Sequence, residues 1–349
     1  MLKLLYQQDD FPVFQNRMYE SKEEAINCPK GNIRLVENLE SGLVYNDAFL
    51  PELMVYDGNY QNEQAVSLLF QRHLETVATA ISRSMGAVNL VEVGCGKGYF
   101  LEMLLTKGFD VTGFDPTYEG VNPRVKRQYF EPGVIEKAHG LILRHVLEHI
   151  QHPVSFLEQL KSANGGSGKI YIEVPCFDWI CEHSAWFDIF YEHVNYFRLV
   201  DFHRMFGKIY ESGHVFGGQY LYVIADLATL QKPVFNQADT FLFPANFSSG
   251  IERLAALTRD KRNVVWGGAS KGVIFTLYMQ RAGVNIDLVI DINPAKQNKF
   301  IAASGLKISP PEDGLKKLQQ GDDIFVMNSN YLKEIMELTN NQFNYIKVD

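Results

Sequence analysis

Cysteine is scarce: Cys28, Cys95, Cys176 and Cys181 are the four in 349 residues, and no two stand in C-x-x-C spacing. This argues against a disulfide framework and against a zinc knuckle. Positive charge is also short, since 33 lysines and arginines face 41 acids for a formal net charge of -8. Without a basic field, neither nucleic acid nor an anionic membrane surface is expected as the main partner. Long apolar runs are missing, with none near the roughly 20 residues of a spanning helix. The N-terminus lacks a basic stretch leading into an apolar core, so a cytoplasmic protein with no membrane partner is expected. No repeat of about 20 to 50 residues and no low-complexity segment occurs, which argues against solenoids and arrays. What remains is a globular chain long for a single core, so two or more domains are expected.

The dinucleotide fingerprint G-x-G-x-x-G is missing as well. In its place Val91 to Phe100 runs Val-Glu-Val-Gly-Cys-Gly-Lys-Gly-Tyr-Phe, a G-x-G-x-G turn with Tyr99 where a third, close-packing glycine would stand. The apolar run Val111 to Asp115 follows, so the pattern is strand, glycine turn, helix and a second strand ending in an acid. Gly94, Gly96 and Gly98 tolerate positive φ and let backbone N–H groups approach a ligand closely, while Cys95 puts only a small side chain inside the turn. Asp115, followed by Pro116, is placed to accept hydrogen bonds from ribose hydroxyls. With Glu92 just before the turn, this resembles motif I of the class I S-adenosylmethionine-dependent methyltransferases. The resemblance makes Glu92, Gly94, Cys95, Gly96, Gly98, Asp115 and Pro116 the expected contacts of S-adenosylmethionine.

Along the chain, residues 1–62 carry the turn signals Phe11-Pro12, Cys28-Pro29-Lys30-Gly31 and Asp57-Gly58-Asn59, which predict a loop-rich segment. From Gln64 the apolar residues Val66, Leu69, Phe70, Leu74, Val77 and Ile81, with His73 among them, recur at three- and four-residue steps and predict one amphipathic helix. Strands are expected at 90–93, 110–115, 141–143 and 169–174, with helices at 100–107 and 153–161 between them, the second opened by Pro153. Alternating strands and helices predict a parallel, doubly wound α/β core over 63–230, with ligands at the carboxyl ends of its strands. After a linker near 231–249, a second α/β unit runs to 349. Its glycine turn, Gly267-Gly268-Ala269-Ser270-Lys271-Gly272, is not a P-loop. It either holds a phosphate on backbone N–H groups with Lys271 nearby or only packs a helix on a sheet.

Two polar clusters could carry chemistry. Arg144-His145-Val146-Leu147-Glu148-His149 ends the third core strand and spells H-x-x-E-H, a zinc-protease motif that needs a continuous helix. With a strand before it and Pro153 soon after, no metal is expected there. A strand's carboxyl end instead aims these imidazoles into the cleft, unless His145 packs and His149 caps a helix. Downstream, Glu192-His193 lies among Trp186, Phe187, Phe190, Tyr191, Tyr196 and Phe197. Aromatic surroundings penalise ionic forms, which suits a histidine tuned as general base, although a histidine satisfied by backbone would also fit. Adjacent residues of an extended segment point apart, so Glu192 need not touch His193.

Taken together these residues resemble the sugar C-methyltransferases, which act on nucleotide-linked 4-keto deoxysugars. The resemblance runs from Gly42-Leu43-Val44-Tyr45-Asn46 and Tyr56-Asp57-Gly58-Asn59-Tyr60 through the core to Tyr191-Glu192-His193-Val194-Asn195-Tyr196-Phe197. It continues in Trp266-Gly267-Gly268-Ala269-Ser270-Lys271-Gly272 and Asp291-Ile292-Asn293-Pro294-Ala295-Lys296. It implies His193 as base, Glu192 as its active-site neighbour, His149 as the family's histidine after the fourth strand, and Tyr60 as a substrate contact. Three departures stand out. Only Cys28 precedes the core where the family commonly carries a zinc-binding cysteine cluster; His145 replaces an asparagine; and Phe190 stands where many members have tyrosine, with Tyr191 a shifted substitute.

The leading expectation is therefore methylation of a carbon next to a ketone in a nucleotide-activated sugar. His193 would remove the acidified proton, His149 and Tyr60 would stabilise the enolate, and the C-terminal unit would hold the pyrophosphate. An O-methyltransferase using the same base is the runner-up. A dinucleotide oxidoreductase using the second turn and Asp291 is the remote rival.

Overall fold

A computed structural model describes every residue except 56–58, 61–64 and 259–261. The expected Asp57-Gly58 turn, the helix start at Gln64 and the boundary at 62/63 lie outside the described residues. The amphipathic helix runs over Leu68–Met85, and Val66 precedes it. Ser67 sets its start by accepting from the N–H groups of Leu69 and Phe70, and Gly86 stops it. Its buried face, Phe70, His73, Leu74, Val77, Ala78 and Ile81, follows the predicted spacing. Each large apolar side chain there contributes about 1.5 to 3 kcal/mol on leaving water.

The N-terminal segment is not loop-rich. β1 (Leu2–Pro12), β3 (Lys30–Asn38), β4 (Val44–Asn46) and β10 (Asn195–Tyr196) form a sheet in the order β1-β3-β4-β10. The alternation that marks a strand is broken in β1 by register shifts between Leu4 and Tyr6 and between Gln8 and Phe11. Its closing strand, β10, comes from the Glu192-His193 region, so this sheet anchors the polar cluster to the N-terminus. β2 (Met18–Tyr19) pairs instead with β15 (Phe300–Ile301) of the C-terminal unit.

The core sheet contains β5 (Leu90–Val93), β6 (Val111–Phe114), β7 (Val125–Lys126), β8 (Gly140–Arg144), β9 (Lys169–Pro175), β11 (Ile209–Val215) and β12 (Tyr220–Asp226). Their order is β11-β12-β9-β8-β5-β6-β7. β7, β6, β5, β8 and β9 are parallel, and β12 is antiparallel to both β9 and β11. Strands β5 and β8 are buried throughout their apolar runs, as expected for a sheet covered on both faces. The C-terminal sheet, β13 (Asn263–Trp266), β14 (Leu288–Ile290), β16 (Ile308–Ser309), β17 (Asp323–Val326) and β18 (Asn344–Lys347), is wholly parallel in the order β16-β14-β13-β17-β18.

Both sheets reverse direction once. The chain leaves β5 toward β6 and β7, then returns to β8 on the other side; it leaves β13 toward β14 and β16, then returns to β17. In open α/β sheets the crevice for a ligand opens at such a switch point, at the carboxyl ends of the strands.

Candidate active site

The two switch points open on one cleft of about 380 Å³. Glu92, Gly94, Cys95, Gly96, Arg144, His145, Glu148 and His149 line it from the core, and Trp266 to Gly267, Ala269 to Lys271, Asp291 to Asn293, Lys296, Met327 and Asn328 from the C-terminal unit. Tyr60, Phe190 and His193 complete the wall. Gly98, Asp115, Pro116 and Glu192 are not among the described lining residues.

The glycine turn has the backbone that its sequence requires. Gly94, Gly96 and Gly98 all have positive φ, and a Cβ at Gly94 would come within 2.6 Å of Val146, whereas none at Gly96 would meet an atom within 4 Å. Asp115 fastens the turn: its Oδ2 accepts from Gly96 N at 2.8 Å and its Oδ1 from Thr117 N at 2.8 Å. Pro116 is exposed in the loop beyond it. Glu92 is buried with one carboxylate oxygen unpartnered among the described residues. Burial pushes its carboxyl up to about 8 against the pull of Arg144, with Asp115 adding to the rise. Burial likewise holds the Cys95 thiol protonated. An open glycine cradle beside an unpartnered acid fits a cationic, nucleoside-bearing cofactor.

Beneath the turn lies a network that was not expected. Glu173, in the middle of the apolar β9 run, accepts from His73 at 3.0 Å, Arg144 at 3.1 Å and His145 at 3.0 Å on one oxygen, and from Tyr171 at 2.6 Å on the other. Burial alone would raise its pKa, but Arg144, His145 and His73 outweigh that and hold it well below the carboxylate range. His145 sits at φ 50° and also bonds Glu148 at 3.3 Å. Burial disfavours its charge, yet the bonds to Glu148 and Glu173 win and raise its pKa to about 9. The signal in sequence was a single carboxylate inside an apolar strand, which has to be paired.

His145 to His149 does not form the helix of a zinc protease. Leu147–His149 is a single 3-10 turn, and the two histidines bond different partners. His149 Nδ1 donates to the carbonyl oxygen of Glu192 at 2.8 Å, which leaves its Nε2 to the cleft. The His193 ring lies edge-on to that of His149, centroids 4.9 Å apart, and edge-on to Phe190 at the same distance. Burial, followed by the charges of His149 and His145, drives the His193 pKa well below the usual imidazole range, so the ring is neutral. Glu148, His149 and His193 also place ligand atoms within 4.8 Å of one another, a set able to hold a metal ion.

Glu192 turns away from His193 into the N-terminal sheet. It accepts from Gln15 N at 3.1 Å and from Tyr60 OH at 2.6 Å, and burial raises its pKa against His149, Tyr60 and Gln15. The Tyr60 proton is thus given to Glu192. Tyr191 does not replace the tyrosine missing at Phe190: its hydroxyl accepts from Leu50 N at 2.8 Å, and its ring is fully buried under Gly31. In the C-terminal unit, Lys271 binds Asp188 at 3.0 Å and Gln219 at 3.1 Å.

Among the described residues, no helix is long and apolar enough to cross a membrane. No curated protein matches the sequence. A complex of the plantazolicin methyltransferase BpumL with a monoazolic desmethylPZN analog and SAH is similar at 15% identity, over 48% of this chain and 87% of that one, with a TM-score of 0.38. In a second BpumL complex, with a triazolic analog, the chain spans 55%, about half, of that protein's length. The PH0226 protein from Pyrococcus horikoshii OT3 is 12% identical over 49% of this chain and 99% of its own, with a TM-score of 0.38. A SAM dependent methyltransferase from Archaeoglobus fulgidus is 17% identical over 46% and 100%, with a TM-score of 0.33. At such low scores the assignment rests on the domain families. Residues 56–209 match a methyltransferase domain and residues 249–345 the C-methyltransferase C-terminal domain. The chain therefore joins a methyltransferase domain to a C-methyltransferase C-terminal domain.

Proposed function

We propose that the protein methylates a carbon next to a ketone in a nucleotide-linked deoxysugar, in the cytoplasm, with His193 as general base. The observation that carries this reading is a neutral imidazole in a cleft walled on one side by the cofactor turn and on the other by the C-methyltransferase C-terminal domain.

A ketone acidifies the neighbouring C–H. His193 accepts that proton on a ring nitrogen, and the C–H electron pair becomes the C=C bond of an enolate with its charge on oxygen. His149, held at Nδ1 by the Glu192 carbonyl, presents Nε2 to the same space and, when protonated there, donates to that oxygen. Tyr60 acts one step back, by holding Glu192. S-adenosylmethionine, the methyl donor proposed here, would be held by the Gly94–Gly98 turn beside Glu92 and would supply an electrophilic methyl to the enolate carbon, the sulfur keeping the C–S electron pair. Holding both reactants in one cleft supplies the remaining advantage.

The O-methyl reading uses the same base on a hydroxyl, and Phe190 beside His193 favours it to the extent that the family tyrosine serves carbon chemistry. Incubation in heavy water with a 4-keto sugar nucleotide and S-adenosylhomocysteine separates the two. Carbon chemistry washes deuterium into the position beside the ketone, and His193→Ala abolishes the exchange. Methylation confined to a sugar hydroxyl contradicts the proposal.

A further inference from the structure

The turn Gly268-Ala269-Ser270-Lys271-Gly272 reads G-x-S-x-G between strand β13 and the helix Lys271–Arg281. Its serine stands at φ 47°, ψ -107°, a strained corner that side chains rarely adopt and that also carries the nucleophilic serine of many hydrolases. The glycines make the corner possible: a Cβ at Gly272 would run into the Gly267 carbonyl oxygen, and one at Gly268 would fall 2.8 Å from Ile308. Ser270 is no nucleophile, because its Oγ donates to the amide oxygen Oδ1 of Asn16 at 2.8 Å, and an amide is not a base. A strained corner held by specific bonds points to another function.

Both bonds of Ser270 lead toward the imidazoles. Beside the Oγ bond to Asn16, Ser270 N donates to Gln15 O at 3.0 Å. Gln15 is fully buried, and its own N–H donates to Glu192 Oε1 at 3.1 Å. Tyr60, which holds the other carboxylate oxygen of Glu192, is tied to the same segment: it forms an antiparallel bridge with Arg17, and its ring meets Phe14 edge-on at 6.0 Å. The Glu192 carbonyl in turn fixes His149 Nδ1, and His193 follows Glu192 in the chain. Residues 15–17 form a strut with the C-terminal turn at one end and Glu192 at the other.

We propose that Ser270 is a positioning residue: through Asn16 and Gln15 it braces Glu192, and with it the two imidazoles at the cleft. The C-terminal unit thus builds part of the catalytic site from behind. The consequence for catalysis rests on the reading of His193 as base given above, whereas the brace itself does not.

NMR of the full chain labelled with ¹⁵N-histidine tests it, through solvent exchange of the His149 Nδ1–H that the Glu192 carbonyl protects. Ser270→Gly accepts the corner without strain and loses the hydroxyl, and Asn16→Ala removes the same bond from the other side. Each should speed that exchange about three- to tenfold, the worth of one neutral hydrogen bond, and slow methyl transfer to a 4-keto sugar nucleotide by a similar factor. S-adenosylhomocysteine affinity should stay unchanged, and the double variant should lose no more than the worse single one. Unchanged exchange, losses that multiply in the double variant, or a parallel fall in S-adenosylhomocysteine affinity overturns the brace. If exchange responds as expected but the wild type does not act on the 4-keto sugar nucleotide, the brace stands and the proposed reaction falls. Circular dichroism checks that the variants fold, and either one alone decides the exchange.

Discussion

The rings of His149 and His193 meet nearly perpendicular with 4.9 Å between centroids, while Nδ1 of His149 is held by the Glu192 carbonyl. One imidazole is oriented by backbone and the other is kept neutral by burial and by its charged neighbours. His193→Ala should lower kcat by about 10²- to 10⁴-fold, the range for a lost general base, with S-adenosylhomocysteine affinity unaltered. A base works only when neutral, so a lowered pKa extends the active range toward acid. The acid limb of kcat/KM that belongs to His193 should therefore lie well below pH about 6.5. A limb centred at or above that value would mean that another group titrates.

Asp115 supports the cofactor turn directly. Asp115→Ala should weaken S-adenosylhomocysteine by about 1.5 to 3 kcal/mol, the range for hydrogen bonds to a charged group. Gly96→Val should be worse, because a β-branched residue is forced to φ 54° and its methyls enter the open space over the turn. Calorimetry on the folded variants measures both; wild-type affinity in Asp115→Ala contradicts the cofactor geometry.

His145 gives the protein a distinctive pH response. Its pKa is raised to about 9 in the fold, burial opposing its charge and the bonds to Glu148 and Glu173 prevailing. A raised folded pKa contributes stability that is full below the unfolded value of about 6.5 and is lost as pH rises through about 9. His145→Asn keeps a residue that accepts the left-handed backbone but removes the charge. Chemical denaturation should show the wild type ahead by about 1 to 3 kcal/mol near pH 6. That lead should shrink toward pH 9, and a gap independent of pH would refute the ion-pair account.

Much of the core was legible because its strands are short buried apolar runs ended by glycine or acid. Leu90–Val93 and its turn, and Asn263–Trp266 and its turn, fall within a residue or two of expectation. The N-terminal sheet was hidden because bulges break the alternation in β1 and its partner β10 is distant in sequence. The polar partners of the site were hidden for the same reason. Gln15 and Tyr60 reach Glu192, and Asp188 reaches Lys271, only after folding.

Glu148, His149 and His193 could together ligate a metal, but a metal on His193 would remove the lone pair that makes it a base. Exhaustive dialysis against a chelator should leave methyl transfer and thermal stability unchanged. About one zinc per chain, with activity lost on its removal, would replace the acid–base account with a Lewis-acid one.

The central claim is that a methyl group arrives on carbon. Incubation with S-adenosylmethionine carrying a ¹³C-labelled methyl and a 4-keto sugar nucleotide, followed by ¹³C NMR of the product, reads the new bond directly. The account predicts a single carbon-bound methyl signal beside the ketone, absent with His193→Ala. A methoxyl signal in its place would contradict it.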